Sequence, residues 1–211
     1  MRSLLLLFGA LIAALPATAQ GVYVADATGG SVTYARTAET IERYGDSSTR
    51  SVNAVGAALE TVSGRGQASI GVSYSSPLEG VSVYGLSGRF GFLAMHQHQG
   101  DPVTFAFNGG VGIVGLTGEG LGSATTQYVS LGIETGGTIP LGAGGALVPS
   151  VAAEVAVPFG EDAASPFAAF GGALGLSVRA APGVQLVFEP GLVQSNETTS
   201  FSFSLKVLGL E

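Results

Sequence analysis

Residues Pro166–Leu210 read PFAAFGGALGLSVRA, APG, VQLVFEPGLVQ, SNETT and SFSFSLKVLGL in succession, and their periodicity decides the fold. Phe170, Leu174, Leu176 and Val178 alternate with Gly171, Ala173, Gly175, Ser177 and Arg179. Val184, Leu186, Phe188 and Leu192 then share one face, with Gln185 and Glu189 on the other. In the last run Phe201, Phe203, Leu205 and Val207 oppose Ser202, Ser204 and Lys206. A period of two puts successive side chains on opposite faces of a strand, so these are strands with one apolar and one small or polar face.

The same pattern extends toward the N-terminus. Ala146–Pro158 sets Leu147, Val151, Ala153, Val155 and Val157 against Ser150 and Glu154. Thr126–Ile139 sets Val129, Leu131 and Ile133 against Tyr128, Ser130, Gly132 and Glu134. Pro102–Val114, Val81–Met95, Gln67–Ser75 and Val52–Thr61 alternate in the same way. The strands are most secure over residues 52–210. Gly21–Tyr34 is the weakest strand candidate, and the charged stretch Ala35–Arg50 (ARTAETIERYGDSSTR) reads as a solvated loop. Leu116–Thr125 reads as a second long loop.

The polar face is mostly Gly, Ala and Ser, whereas a strand face turned to water normally carries many charged residues. Glycine makes up 34 of the 211 residues, and small side chains suit the crowded inside of a narrow barrel. The fold class is therefore all-β, a closed antiparallel transmembrane barrel of eight to ten strands with its apolar face toward lipid. Ten follows if Val52–Thr61 and Gly21–Tyr34 are both strands, because both chain ends belong on one side and the strand number is even. A soluble periplasmic β-sandwich binding protein is the alternative. Polar-face charges become a lumen network, in which Arg89, Arg179 and Lys206 pair with some of Glu60, Glu134, Glu154 and Glu189.

Residues 1–19, MRSLLLLFGALIAALPATA, combine Arg2, an apolar core over Leu4–Ala14 and the small-x-small site Ala17-Thr18-Ala19. This is the pattern of a secretory signal peptide cleaved between Ala19 and Gln20, leaving residues 20–211 as one barrel domain. A net charge of −7 without a basic cluster excludes nucleic acid as a partner. The chain has no cysteine, so thiol chemistry is excluded. His96 and His98 are the only histidines, and two ligands without a carboxylate cluster are too few for a typical metal site. They read as polar turn residues, and no cofactor is implied. An acyl-transfer site would need His96 beside Ser87. Aromatic girdles are expected from Phe90, Phe92, Phe105 and Phe107 near one rim, and from Tyr74, Tyr84, Phe159, Phe167, Phe201 and Phe203 near the other. Asn196-Glu197-Thr198 fits a glycosylation acceptor and reads as loop filler.

The leader, the Phe-rich hairpin Gly80–Val114 and the closing strand Phe201–Leu210 resemble the small outer-membrane β-barrel proteins of diderm bacteria, the porin-like or outer-membrane-protein β-barrel group. The resemblance implies a bacterial outer-membrane location, contact with outer-membrane lipids and lipopolysaccharide, and insertion by the barrel-assembly machinery. It also implies a terminal aromatic residue, where this sequence has Leu208-Gly209-Leu210-Glu211. It does not fix one activity, since the group includes stabilisers, adhesins, channels and a few enzymes. The reading that follows is a non-catalytic structural or surface-interaction barrel, whose partner could be a surface protein or a solute. The alternatives are a narrow passive channel for small solutes and a lipid A-modifying enzyme.

Overall fold

The computed structural model describes residues 26–43, 46–78, 80–118, 122–142, 144–160, 165–195 and 198–210. The signal-peptide reading of residues 1–19, its Ala19–Gln20 junction and the Asn196-Glu197 pair lie outside these described residues. Strands β1 (Ala27–Arg43), β2 (Asp46–Ser63), β3 (Gly66–Leu78), β4 (Val81–Met95), β5 (Thr104–Gly118) and β6 (Gly122–Gly136) run up and down in sequence. A four-residue strand β7 (Ile139–Gly142) precedes β8 (Gly145–Phe159), β9 (Phe167–Ala181), β10 (Val184–Ser195) and β11 (Thr198–Leu210). Each long strand pairs antiparallel with its neighbours, β6 pairs with β8, and β1 pairs with β11. The sheet therefore closes into a barrel of ten long strands, with β7 as a short extra piece. Closure leaves the ten long strands without a free edge over their shared span, which is what a sheet surrounded by hydrocarbon would require.

Register fixes the shape. Starting at Ala27, successive partners round the wall are Val62, Gln67, Gly91, Asn108, Gly132, Glu154, Ala169 and Ser195. The Ser195 hydroxyl bonds that of Thr198 at 2.6 Å, and Thr198 pairs with Glu39, so the circuit returns to β1 staggered by 12 residues, from position 27 to 39. Such a stagger over ten strands tilts them by roughly 40° to the barrel axis. The β1–β11 seam carries two inward hydroxyl pairs, Thr33 with Ser204 at 2.8 Å and Thr37 with Ser200 at 2.6 Å. Cross-strand pairs of this kind contribute about 0.2–1 kcal/mol each.

Alternation sorts the two faces as the sequence predicts. Leu131 (74% exposed), Leu59, Phe90, Phe170, Phe92, Phe107 and Ile70 point outward. Ser31, Ser130, Ser177, Ser200, Ser202 and Ser204 are buried inside. The outward aromatic rings need glycines to lie on. Phe90 covers Gly109 and Tyr84 covers Gly115, in each case the residue directly opposite, where a Cβ would overlap the ring.

Four expectations are corrected. Ala35–Arg50 is not a loop: β1 and β2 continue through it, paired from Ala35↔Ala54 up to Arg43↔Asp46. Beyond Glu39 and Ala54 this hairpin is paired only with itself, because β11 ends its pairing at Thr198 and β3 at Ser75 on that level. Leu116–Thr125 is likewise mostly strand, paired from Leu116↔Ala124 to Gly118↔Gly122. The polar residues there misled because the pairing is carried by backbone hydrogen bonds, which need no apolar face. Phe167 is not a girdle residue; it packs inward. His96 is not a solvated turn residue but fully buried, beneath a 3-10 turn at Gln97–Gln99.

That turn repairs a break in the wall. β6 and β7 face the same partner strand, but the line is interrupted at Gly137 and Thr138. The Gln97 amide bonds both sides of the Thr138 backbone, accepting from its N–H at 2.6 Å and donating to its carbonyl at 3.3 Å. One side chain thus stands in for strand pairing that β5, beginning at Thr104, does not supply.

Candidate functional site

Among the described residues, the lumen concentrates ionisable groups on a face that the fold closes off. On its inner wall, Glu60, Ser69, Arg89, Gly110 and Ser130 fall on one register line across β2 to β6. Glu154 sits one line nearer the rim of the chain ends, opposite Gly132. The Arg89 guanidinium bonds the Glu154 carboxylate across the lumen, with side chains 22% and 18% exposed. Glu60, Glu134 and Tyr128 lie around the same guanidinium. On the other side, Lys206 and Glu189 form a buried ion pair at 3.5 Å, both side chains at or below 3% exposure. The Ser31 hydroxyl donates to Glu60 Oε1 at 2.9 Å.

The structure thus joins Arg89 to Glu154 and Lys206 to Glu189, and it buries Glu60 and Glu134 beside them. It does not bring in Arg179, which is exposed at the rim that carries the chain ends, where its N–H bonds the Gly144 carbonyl at 3.0 Å. Isolated charges in such a place would be costly by several kcal/mol each, so mutual pairing is what permits them. Gln67 and Asn108 add an amide bridge between β3 and β5 at 2.7 Å, passing over Gly91, where a Cβ would collide with both side chains.

Above this belt, toward the distal rim, the inner wall turns apolar. Ala35, Ala54, Val81, Val83, Val114, Leu116, Tyr128 and Ala156 pack into one buried cluster, joined by Phe167. These come from β1, β2, β4, β5, β6, β8 and β9 and all face the lumen. The Tyr128 ring fits there because its opposite residue is Gly112, where a Cβ would overlap the ring. Sequence reasoning missed this cluster. Its signal was the ends of β4 and β5, where Val81, Val83, Val114 and Leu116 occupy the face that is Gly, Ser or Arg lower down.

At the opposite rim, Asp101 gathers the turns. Its Oδ2 accepts from the His96 backbone N–H at 2.7 Å and from Arg65 at 3.2 Å, while Arg65 also bonds the Ala94 carbonyl at 2.6 Å. The His96 N–H, with Arg65 beside it, holds the Asp101 carboxyl below the usual carboxylate range. Ser87 sits on the inner wall in register with Gly71 and Gly112, well up β4 from His96, so the pair required for acyl transfer is not assembled. Among the described residues no group of three or more His, Cys, Asp or Glu is arranged to hold a metal ion.

No family model matches the sequence, and no curated protein matches it. Solved structures do. The chain is similar to an outer-membrane channel from Pseudomonas putida F1, with a TM-score of 0.51 and 12% identity over 92% of this chain and 99% of that one. It is also similar to the transport unit of the autotransporter AIDA-I from Escherichia coli, with a TM-score of 0.50 and 8% identity over 97% of each chain. At such identities the likeness is one of fold: this is a closed antiparallel β-barrel that matches the barrels of known outer-membrane proteins.

Proposed function

We propose that this chain is a non-enzymatic outer-membrane barrel whose role is structural or surface-interacting, and whose lumen does not pass solutes freely. The observation that carries this reading is the inward apolar cluster of Val81, Val83, Val114, Leu116 and Tyr128 above a paired charge belt. An apolar constriction is a barrier to water and ions even where the wall is wide enough to hold them. The self-paired β1–β2 hairpin beyond Glu39 and Ala54 supports the second half of the reading. It would stand clear of the barrel as a polar platform for lipopolysaccharide headgroups or a surface protein. On this reading the barrel-assembly machinery inserts the chain with its ends on the periplasmic side, after removal of residues 1–19.

Planar-bilayer recording tests it. The purified barrel should insert without steady conductance, and Leu116→Ala with Val83→Ala should open a small one. Steady nanosiemens currents through the unaltered protein would overturn the closed lumen and favour the channel reading. Altered lipid A acylation in a deletion strain would overturn the non-enzymatic reading.

A further inference from the structure

The charge belt does not balance. Glu60, Glu134, Glu154 and Glu189 face only Arg89 and Lys206, four carboxylates against two cations on the inner wall of the described barrel. The deficit has a location. Glu60 is 6% exposed, and while its Oε1 accepts from Ser31, its Oε2 is buried without a hydrogen-bond partner. A second orphan lies on the next strand. Gln67 donates through Nε2 to Asn108, which fixes its amide plane and leaves its Oε1 buried and equally without a partner. Val62 pairs with Gln67 and Glu60 with Ser69, so Glu60 and Gln67 are diagonal neighbours on the inner face, within mutual reach of long side chains.

We propose that the lumen binds a divalent, oxygen-ligated cation of the calcium class at Glu60 and Gln67. Two buried acceptors on diagonal positions of the inner face, one of them a carboxyl oxygen, call for a positive group that offers no lone pair of its own. A hard cation supplies that, and carboxylate, amide and hydroxyl oxygens are its preferred ligands. Ser69, in register with Glu60, adds a hydroxyl on the same face, and water completes the shell. A charge of two also removes the deficit of the belt. The site rests on lumen geometry alone and not on the envelope role proposed above.

The test uses the chain refolded into detergent micelles free of lipopolysaccharide, which would itself hold divalent ions. Terbium luminescence excited through tyrosine reports the site, since the sequence has six tyrosines and no tryptophan. The unaltered protein should give a saturable signal that calcium displaces. Glu60→Gln, which keeps the shape and the Ser31 contact, should abolish that saturable phase. Gln67→Glu should tighten it at least tenfold, which a merely structural Gln67 would not do. Equal terbium binding and calcium displacement in the unaltered chain and the Glu60 variant would overturn the site. So would the lack of any saturable phase, or an affinity unmoved by Gln67→Glu.

Discussion

The two halves of the lumen are built on the same strands yet solve burial in opposite ways. Near the rim of the chain ends, Arg89–Glu154 and Lys206–Glu189 are held by pairing. Toward the distal rim, Val83, Val114 and Leu116 are held by packing. The lower half carries two pairs of opposite sign with Glu60 and Glu134 buried beside them; the upper half is packed with apolar side chains. What the difference teaches is that a barrel interior is not uniformly polar. Among the described residues the buried charged groups end where the apolar cluster begins, and on the proposed reading this boundary closes the lumen.

Val83→Asp should have the largest effect on that contrast. An unpaired carboxylate at a position only 1% exposed is expected to destabilise the folded barrel by about 4 kcal/mol. Reversible urea unfolding in micelles would measure it. A loss below 1 kcal/mol would mean that the distal half is already wet. Arg89→Met comes next, at about 3 kcal/mol, because it strands Glu154. The double change Arg89→Met with Glu154→Met should recover most of the loss. Additive losses in the cycle would show that the two side chains do not depend on each other.

Much of this was legible in the sequence, because alternation survives translation into a sheet. From Gln67 to Leu210, apart from Arg179 at the rim, the alternating positions quoted above lie on the faces that the period of two assigns them. Arg89, Glu154, Glu189 and Lys206 face the lumen for the same reason. The partners were not legible. Arg89 meets Glu154 across two intervening strands, and only register, stagger and closure together place them opposite one another. The upper cluster was hidden in another way: Val81 and Val83 alternate with Ser82 and Tyr84, so both faces are partly apolar there and the period loses contrast. The β1–β2 hairpin was hidden because Arg36 to Arg50 is polar, and its pairing is carried by backbone hydrogen bonds, which leave no trace in side-chain pattern. Gln97 in the wall break required the break itself to be seen.

The smallest expected effect lies outside both halves, at Asp101. Its folded carboxyl titrates below its unfolded value of about 3.9. A depressed carboxyl stabilises the folded state above the unfolded value and loses that contribution as pH falls through the folded one. The unaltered protein should therefore lose thermal stability below about pH 4 more steeply than Asp101→Asn, with little separating the two slopes at neutral pH. Parallel acid limbs would show that the rim turn does not depend on the carboxylate.

The central claim is the assignment of inside and outside, and site-directed spin labelling reads it most directly. The chain has no cysteine, so single cysteines can be introduced along β6 at Val129, Ser130, Leu131, Gly132 and Ile133 without removing any. In lipid bilayers the account predicts high collision rates with membrane-dissolved oxygen at 129, 131 and 133, and low rates at 130 and 132. A water-soluble nickel reagent should reach none of the outward three. Uniform oxygen accessibility along the strand, or strong nickel access at 129, 131 and 133, would contradict the barrel's orientation in lipid.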